Sequence, residues 1–352
     1  METARAEFVA GINRVRLYMR HIDSERVLIT SLLHDSENHL QSNAAAALGT
    51  RMATDLVRRE FEYCSIVVSL YGLGEQLFES ATSRFVAHQN LLSSRFDDLP
   101  APLRTNHWQL SLNLLTKLEQ TRFRDRLTAK SMVESLHASF EGKPRLVPEA
   151  FAYHTANIRP SVAAEALGKM GSENFIKRLE MSPRFDVLVA AAPRGNRSEV
   201  IKEAIDLLDD LATKRNEAAH GSVLNVLANS ALAPYVDASE AFGLALCDEL
   251  TLLSIRNGAA RGMDLGAPIK VVDNRIVCIT WPASTIRRGD YLLANTSDSS
   301  EPCRAGEILE IQVNNVPTDS VTAPPAVDIG LRVGFHTKQN HQFVHVPRKF
   351  VL

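Results

Sequence analysis

Apolar positions recur at helical spacing through most of the chain and give way to short alternating runs near its end. Phe8, Ile12, Val15, Tyr18, Met19 and Ile22 predict a helix over 3–35. After a polar break at Ser42-Asn43, a long helical pattern covers 44–92, interrupted near Gly49-Thr50. Its centre, 62–79, is the most apolar helix of the first half, with Tyr63, Leu70, Leu73, Gly74, Leu77 and Ala81 on one face. Glycine costs about 1 kcal/mol against alanine in a helix interior, so Gly74 predicts a closely packed neighbouring helix. Leu99-Pro100-Ala101-Pro102 ends this unit. Helices over 105–120 and 124–140 follow, then a turn at Gly142-Lys143-Pro144. Residues 148–193 read as short helices broken by Pro160, Gly168, Gly171 and Pro183. A loop containing Pro234 leads to a helix capped by Ser239 or Asp237 and ending near Asn257, with Phe242, Leu246, Leu250 and Leu253 at helical spacing.

From Gly266 the period changes. Residues 269–271, 275–281, 291–294, 308–313, 329–333 and 343–346 are β-type runs, punctuated by Asp273-Asn274, Arg288-Gly289-Asp290 and Asn314-Asn315. They predict a compact antiparallel barrel or small sandwich. The fold class is therefore mainly α, with a helical domain over 1–262 and a small all-β domain over 263–352.

The segment from Asn196 to Gly221 reads as one helix that breaks its own pattern. Asn196 and Glu199 have capping-box spacing, and Gly221 suits a left-handed stop. Ile201, Ala204, Ile205, Leu207, Leu208, Leu211, Ala212, Ala218 and Ala219 share a broad face, with Asp206, Asp210 and Glu217 opposite. Arg215 falls near the middle of the apolar arc, Asn216 at its edge and His220 just beyond. A guanidinium in a core stripe is costly unless it is paired or faces a cleft or interface. Such breaks tend to mark functional or interface sites. The competing reading is an ordinary helix end, where Arg215 snorkels to the surface and cations interact well with the helix dipole.

Charge and composition narrow the chemistry. The net charge is −2, so no global basic field points to nucleic acid and any such site must be local. The one cation cluster that runs into the helix holds Arg159, Lys169, Lys177, Arg178, Arg184, Arg194 and Arg197, with solvated surface as the alternative. Cys64, Cys247, Cys278 and Cys303 lie far apart, which fits a reduced cytoplasmic protein and not a zinc knuckle or disulfide framework. Cys64 and Cys247 read as core. No long apolar run follows the first residues, so no signal peptide is expected. No stretch reaches the roughly 18 apolar residues of a membrane span, so no membrane partner is expected either. No Gly-rich loop follows a strand, which argues against a nucleotide P-loop. His341 and His345 share a strand face, but no carboxylate or cysteine sits at ligand spacing. An exposed strand face is favoured, and neither metal nor cofactor is expected.

The string Lys214-Arg215-Asn216-Glu217-Ala218-Ala219-His220-Gly221 has the form Arg-x4-His in an RNxxAHG setting. It resembles the signature of the HEPN superfamily, α-helical domains found in many prokaryotic metal-independent RNases and toxins, and specifically the RiboL-PSP-HEPN type. Ser65 to Phe78 is similar to the apolar LY…E helix that precedes the motif in these families. Tyr153 to Met170, with Asn157-Ile158-Arg159 and Leu167-Gly168, resembles their middle segment. The resemblance covers roughly residues 50–257 and leaves the β-type tail outside.

The chemistry of the motif is consistent with RNA cleavage. A 2′-hydroxyl can attack its own phosphate without metal if a group of near-neutral pKa handles a proton and a cation holds the extra charge. Histidine suits the first task and arginine the second. The helix dipole should favour protonated His220. Arg215 and His220 lie about 140° apart on an ideal helix, so one helix presents them poorly to a single phosphate. Two such helix ends brought together by a two-fold axis would solve this, and HEPN nucleases resemble that arrangement.

The resemblance thus implies a HEPN-like helical bundle acting as a homodimeric endoribonuclease on RNA, as a bacterial toxin or anti-phage defence effector. Arg215 and His220 would carry the chemistry with Asn216 in support. Lys214, Arg159, Arg194 and Arg197 would hold substrate, and Glu75 would pair with Arg215. The β domain would bind an antitoxin or defence-system partner, an RNA or a trigger, or hold the dimer. A non-catalytic HEPN-type module binding nucleic acid or nucleotide is the alternative. A helical structural protein in which Arg215 pairs with a buried acid is a third.

Overall fold

The structure is a computed structural model that describes residues 1–34, 55–120, 123–192, 195–223, 225–282, 284–297, 303–322 and 326–352. The expected break at Ser42-Asn43 and Gly49-Thr50 lies outside the described residues, as does Arg194. The described helices are α1 (Glu2–His34), α2 (Asp55–Leu92), α3 (Ala101–Leu115), α4 (Ala129–Phe140), α5 (Pro148–Ala152), α6 (Pro160–Met170), α7 (Phe175–Leu179), α8 (Asp186–Ala191), α9 (Arg197–His220) and α10 (Asn229–Ala259). The chain is mainly helical, with an all-β region at its end.

The bundle is built on α2, against which α1, α9 and α10 pack. Phe8, Ile12, Val67, Leu70, Phe78, Phe85, Leu211, Leu246 and Leu250 belong to one buried core. At about 25 cal/mol per Å² of apolar surface, burial of these four faces is the main source of stability. Glycine permits close approaches between the core helices: a Cβ on Gly11 would meet Leu73 at 2.3 Å, and one on Gly243 would meet Phe8 at 2.5 Å. Gly74 does not fit its expectation. A Cβ there meets nothing within 4 Å, so it borders open space and not a neighbouring helix.

The last helix also differs from the sequence reading. It begins at Asn229, with Pro234 inside it, so neither Ser239 nor Asp237 is its cap. Burial of Leu232, Tyr235 and Val236 against the core offsets the proline's missing donor. The helix expected over 124–140 begins at Ala129, where the Thr128 side chain accepts from the Ser131 amide and Ser131 Oγ accepts from the Thr128 amide.

Ten strands follow among the described residues: β1 (Met263–Gly266), β2 (Lys270–Val272), β3 (Ile276–Trp281), β4 (Thr285–Arg287), β5 (Tyr291–Asn295), β6 (Cys303–Val313), β7 (Val316–Thr318), β8 (Ser320–Thr322), β9 (Val327–Val333) and β10 (Gln342–Val346). The main antiparallel sheet runs β1-β10-β5-β6-β9-β3-β2, and β7 pairs with β6. Residues 303–307 of β6 pair with β5, and 308–313 pair with β9 across a bulge, so the sheet bends around Trp281, Ile308, Leu331 and Phe343. Asp273-Asn274 and Asn314-Asn315 take positive φ, the backbone that two-residue hairpin turns demand.

His341 and His345 are buried, contrary to the exposed strand face expected for them. His341 and His345 are 4% and 2% exposed. His345 Nε2 lies 3.0 Å from Asp290 Oδ2, with Trp281 edge-on to the imidazole. Burial pushes the Asp290 carboxyl up, but His345 and the Arg348 and Arg287 amides bond it and hold it below the usual carboxylate range. The sheet rests on the end of α10 through Ile255, Leu293, Val346 and Val351.

Candidate functional site

The site grows from the C-terminal half of α9. The Asn196 side chain accepts from the Glu199 amide at 3.0 Å, and Glu199 accepts from the Asn196 amide at 3.1 Å, so the capping box forms as the spacing implies. Gly221 stops the helix at φ 65°. Ile201, Ala204, Leu211 and Ala212 are its buried residues. The apolar stripe thins toward the end: Ala218 is half-buried and Ala219 and His220 are exposed. Asp210 and Glu217, expected on a wet face, are also half-buried. Asp210 accepts from Tyr235 Oη at 2.5 Å and pairs with Lys214 at 3.4 Å. Beside them Tyr63 is 1% exposed, and burial, with the Glu217 and Asp210 charges, pushes its phenol up to about 12.

Arg215 turns toward α2. Its guanidinium lies 5.2 Å from the Tyr71 ring centroid and donates to Asn216 Oδ1 at 3.3 Å. Among the described residues it forms no ion pair. A half-buried guanidinium stacked on an aromatic face keeps its in-plane donors available for an oxyanion. Tyr71 is fixed in turn: it is 6% exposed and its Oη accepts from the Ile158 amide at 2.8 Å. The segment before α6 is thereby pinned to α2 at the point where Arg215 stacks.

Other expected residues sit elsewhere. Glu75, one turn beyond Tyr71, is 3.7 Å from His154 Nε2, and Glu79 is 3.4 Å from the same atom. Lys214 points away from Arg215 into the Asp210 and Tyr235 group. Arg159 donates to the Asp209 carbonyl at 2.8 Å and to Thr213 Oγ1 at 3.1 Å, which ties α6 to the outer side of α9. Arg197 starts α9, roughly 35 Å along the helix from His220 at 1.5 Å per residue. It pairs with Asp186 at 2.7 Å and bonds the Glu180 carbonyl. The structure brings together Arg215, Asn216 and Tyr71, sets Glu75 with His154 one turn further along α2, leaves His220 exposed at the helix end, and separates Arg197 from all of them.

Tyr71 and His154 were missed as site residues. Tyr71 had a signal, since it is the tyrosine of the LY…E helix, one turn before Glu75. His154 had none, because its meeting with α2 depends on long-range packing. Among the described residues no group of three or more His, Cys, Asp or Glu is arranged to hold a metal ion. Among the same residues no helix is long and apolar enough to cross a membrane.

Comparison with curated proteins gives no match. The family model RiboL-PSP-HEPN matches residues 32–251, which includes α2, α9 and most of α10. With more than half of its length matched, and its Arg-x4-His segment within the matched span, the chain belongs to the RiboL-PSP-HEPN family.

Proposed function

We propose that this protein is a metal-independent endoribonuclease whose active site is shared between two copies of the chain. The observation that carries the reading is the Arg215 guanidinium, half-buried over Tyr71 and unpaired among the described residues, in the same helix end as an exposed His220. HEPN domains are commonly RNases, which supports the class.

In this reading Arg215 of one protomer binds the non-bridging oxygens of the scissile phosphate, and His220 of the other protonates the leaving group. The bond from the 2′-oxygen to phosphorus forms as the bond to the 5′-oxygen breaks. The 2′-hydroxyl proton goes to water, and His220 supplies the proton that the 5′-oxygen takes up. The products are a 2′,3′-cyclic phosphate and a free 5′-hydroxyl. Asn216 orients Arg215. Lys214 and Arg159 are engaged in packing α9, so they shape the site more than they bind RNA, and Arg197 at the far end of the helix takes no part in it. A role as a toxin or defence effector, with the β region receiving an inhibitor or trigger, fits this activity.

The test is to incubate the purified protein with RNA in excess chelator, beside Arg215→Ala and His220→Ala. The wild type should cut and leave cyclic phosphate ends, and each variant should lose about 100-fold or more. Equal cutting by all three would overturn the assignment.

A further inference from the structure

A groove of about 500 Å³ runs between α1 and α2, and none of the roles above uses it. That volume is within the range of small-ligand sites and is ample for a nucleotide. Its floor forms where Leu73 of α2 packs onto Gly11 of α1. Gly72 keeps it open, since a Cβ there would meet nothing within 4 Å. The rim is polar and exposed, with Ser65, Ser69 and Gln76 on α2 and Arg14 and Tyr18 on α1.

The chemistry of that rim is selective. Arg14 is the single charge in the lining, and among the described residues it makes no ion pair. Tyr18 holds a large aromatic ring out to solvent. Arg14 and Tyr18 are four residues apart on one helix, so they are neighbours on its surface. A guanidinium takes a phosphate, an aromatic face takes any unpaired base, and hydroxyls and an amide bond sugar and base edges. A carboxylate in the lining would repel a phosphate, and the groove has none.

The groove is also set apart from the cut. Ser65, Ser69, Gly72 and Gln76 lie about 130° around α2 from Tyr71, on which Arg215 rests. The exposed Val68 occupies the arc between them. A strand held at Arg215 reaches the groove by crossing one helix, a width of about 10–12 Å, which spans a few nucleotides.

We propose that the α1–α2 groove is an accessory site for single-stranded RNA, which holds the substrate strand a few nucleotides from the cut. A base stacks on Tyr18 and a phosphate binds Arg14. The choice of RNA as occupant rests on the ribonuclease reading. The groove gives the enzyme a preference for strands long enough to fill both places.

Two readouts on the full chain test this. The first is fluorescence anisotropy with labelled 2′-O-methyl RNA, which lacks the attacking hydroxyl and stays uncut. Strands of about 16 and about 4 nucleotides are compared. The wild type should bind the long strand more tightly. Tyr18→Ala should weaken long-strand binding about tenfold, as expected for one lost stacking partner. Gly72→Leu should do the same by filling the groove, and leucine is the better helix former. Arg14→Ala should weaken binding and lower the slope of log affinity against log salt by about 0.7. Arg20→Ala removes an exposed α1 cation that does not line the groove and should bind as the wild type does.

The second readout is the ratio of kcat/KM on cleavable strands of the same two lengths, which is independent of overall rate. The wild type should favour the long strand through KM, and each groove variant should bring the ratio toward one. If the groove variants bind and discriminate length as the wild type does, the groove is overturned and the ribonuclease reading survives. If the wild type binds the long strand through Arg14 and Tyr18 but cuts no RNA, the ribonuclease reading falls and the groove stands as an RNA-binding site. Equal wild-type affinity for both lengths overturns the groove. So does an Arg20→Ala loss as large as that of Arg14→Ala, which would mean general attraction to charge.

Discussion

Arg215 shows how far a single residue can be read. Its misplacement on an apolar stripe is visible because helical phase is a local property. What it rests on is not, because Tyr71 lies far away in sequence and only packing brings the ring beneath the guanidinium. Stacking and bidentate binding need the planar fork of arginine, so charge alone should not suffice. Arg215→Lys is expected to fold normally yet lose cleavage by about 100-fold, measured as kcat/KM on a short RNA. Near-wild-type activity would mean that only a point charge is needed. The surrounding cations were harder to read. Lys214, Arg159 and Arg197 have the right charge, but each is committed to a nearby acid or carbonyl, and Arg197 lies at the far end of α9. Sequence position does not tell a cation that stabilises a helix contact from one that awaits a phosphate.

At the scale of the element, both ends of α9 were legible, since caps depend on residues within one turn. The ends also separate stability from activity. Asn196→Ala removes a side-chain cap and should cost about 1 kcal/mol in urea unfolding, with cleavage per folded molecule unchanged. Gly221→Ala forces a Cβ into a backbone of φ 65° and should cost about 1 kcal/mol too. It should also lower cleavage, because the frayed turn is the one that holds His220. Equal activity in the two variants would detach His220 from the reaction. The start of α10 was not legible. Pro234 signals a loop locally, and burial of the residues around it overrides that signal.

At the scale of the molecule, the helical majority and β tail follow from a change of period that runs over many residues and so averages out local exceptions. The positions of the buried histidines do not follow from it. His107 on α3 is 0% exposed, with Nε2 unpartnered, and burial pulls its imidazole down from 6.5 to about 4. The unfolded chain therefore binds a proton between these values and the folded chain does not. This contribution is fully favourable above pH 6.5 and is lost as pH falls toward 4, which amounts to about 2 kcal/mol between pH 7 and pH 5. His107→Phe should remove that part of the slope in urea unfolding at the two pH values. An unchanged slope would place the acid sensitivity elsewhere.

The central claim is that the site is incomplete in one chain, and mixing two dead variants tests it most directly. Arg215→Ala keeps His220, and His220→Ala keeps Arg215. Unfolded and refolded together, half of the resulting dimers should contain one of each and hold one intact composite site. The mixture should recover roughly a quarter of wild-type cleavage, a recovery far above the two variants measured separately. If the mixture is as inactive as its components while the wild type cuts RNA, Arg215 and His220 work within one chain and the shared site is contradicted.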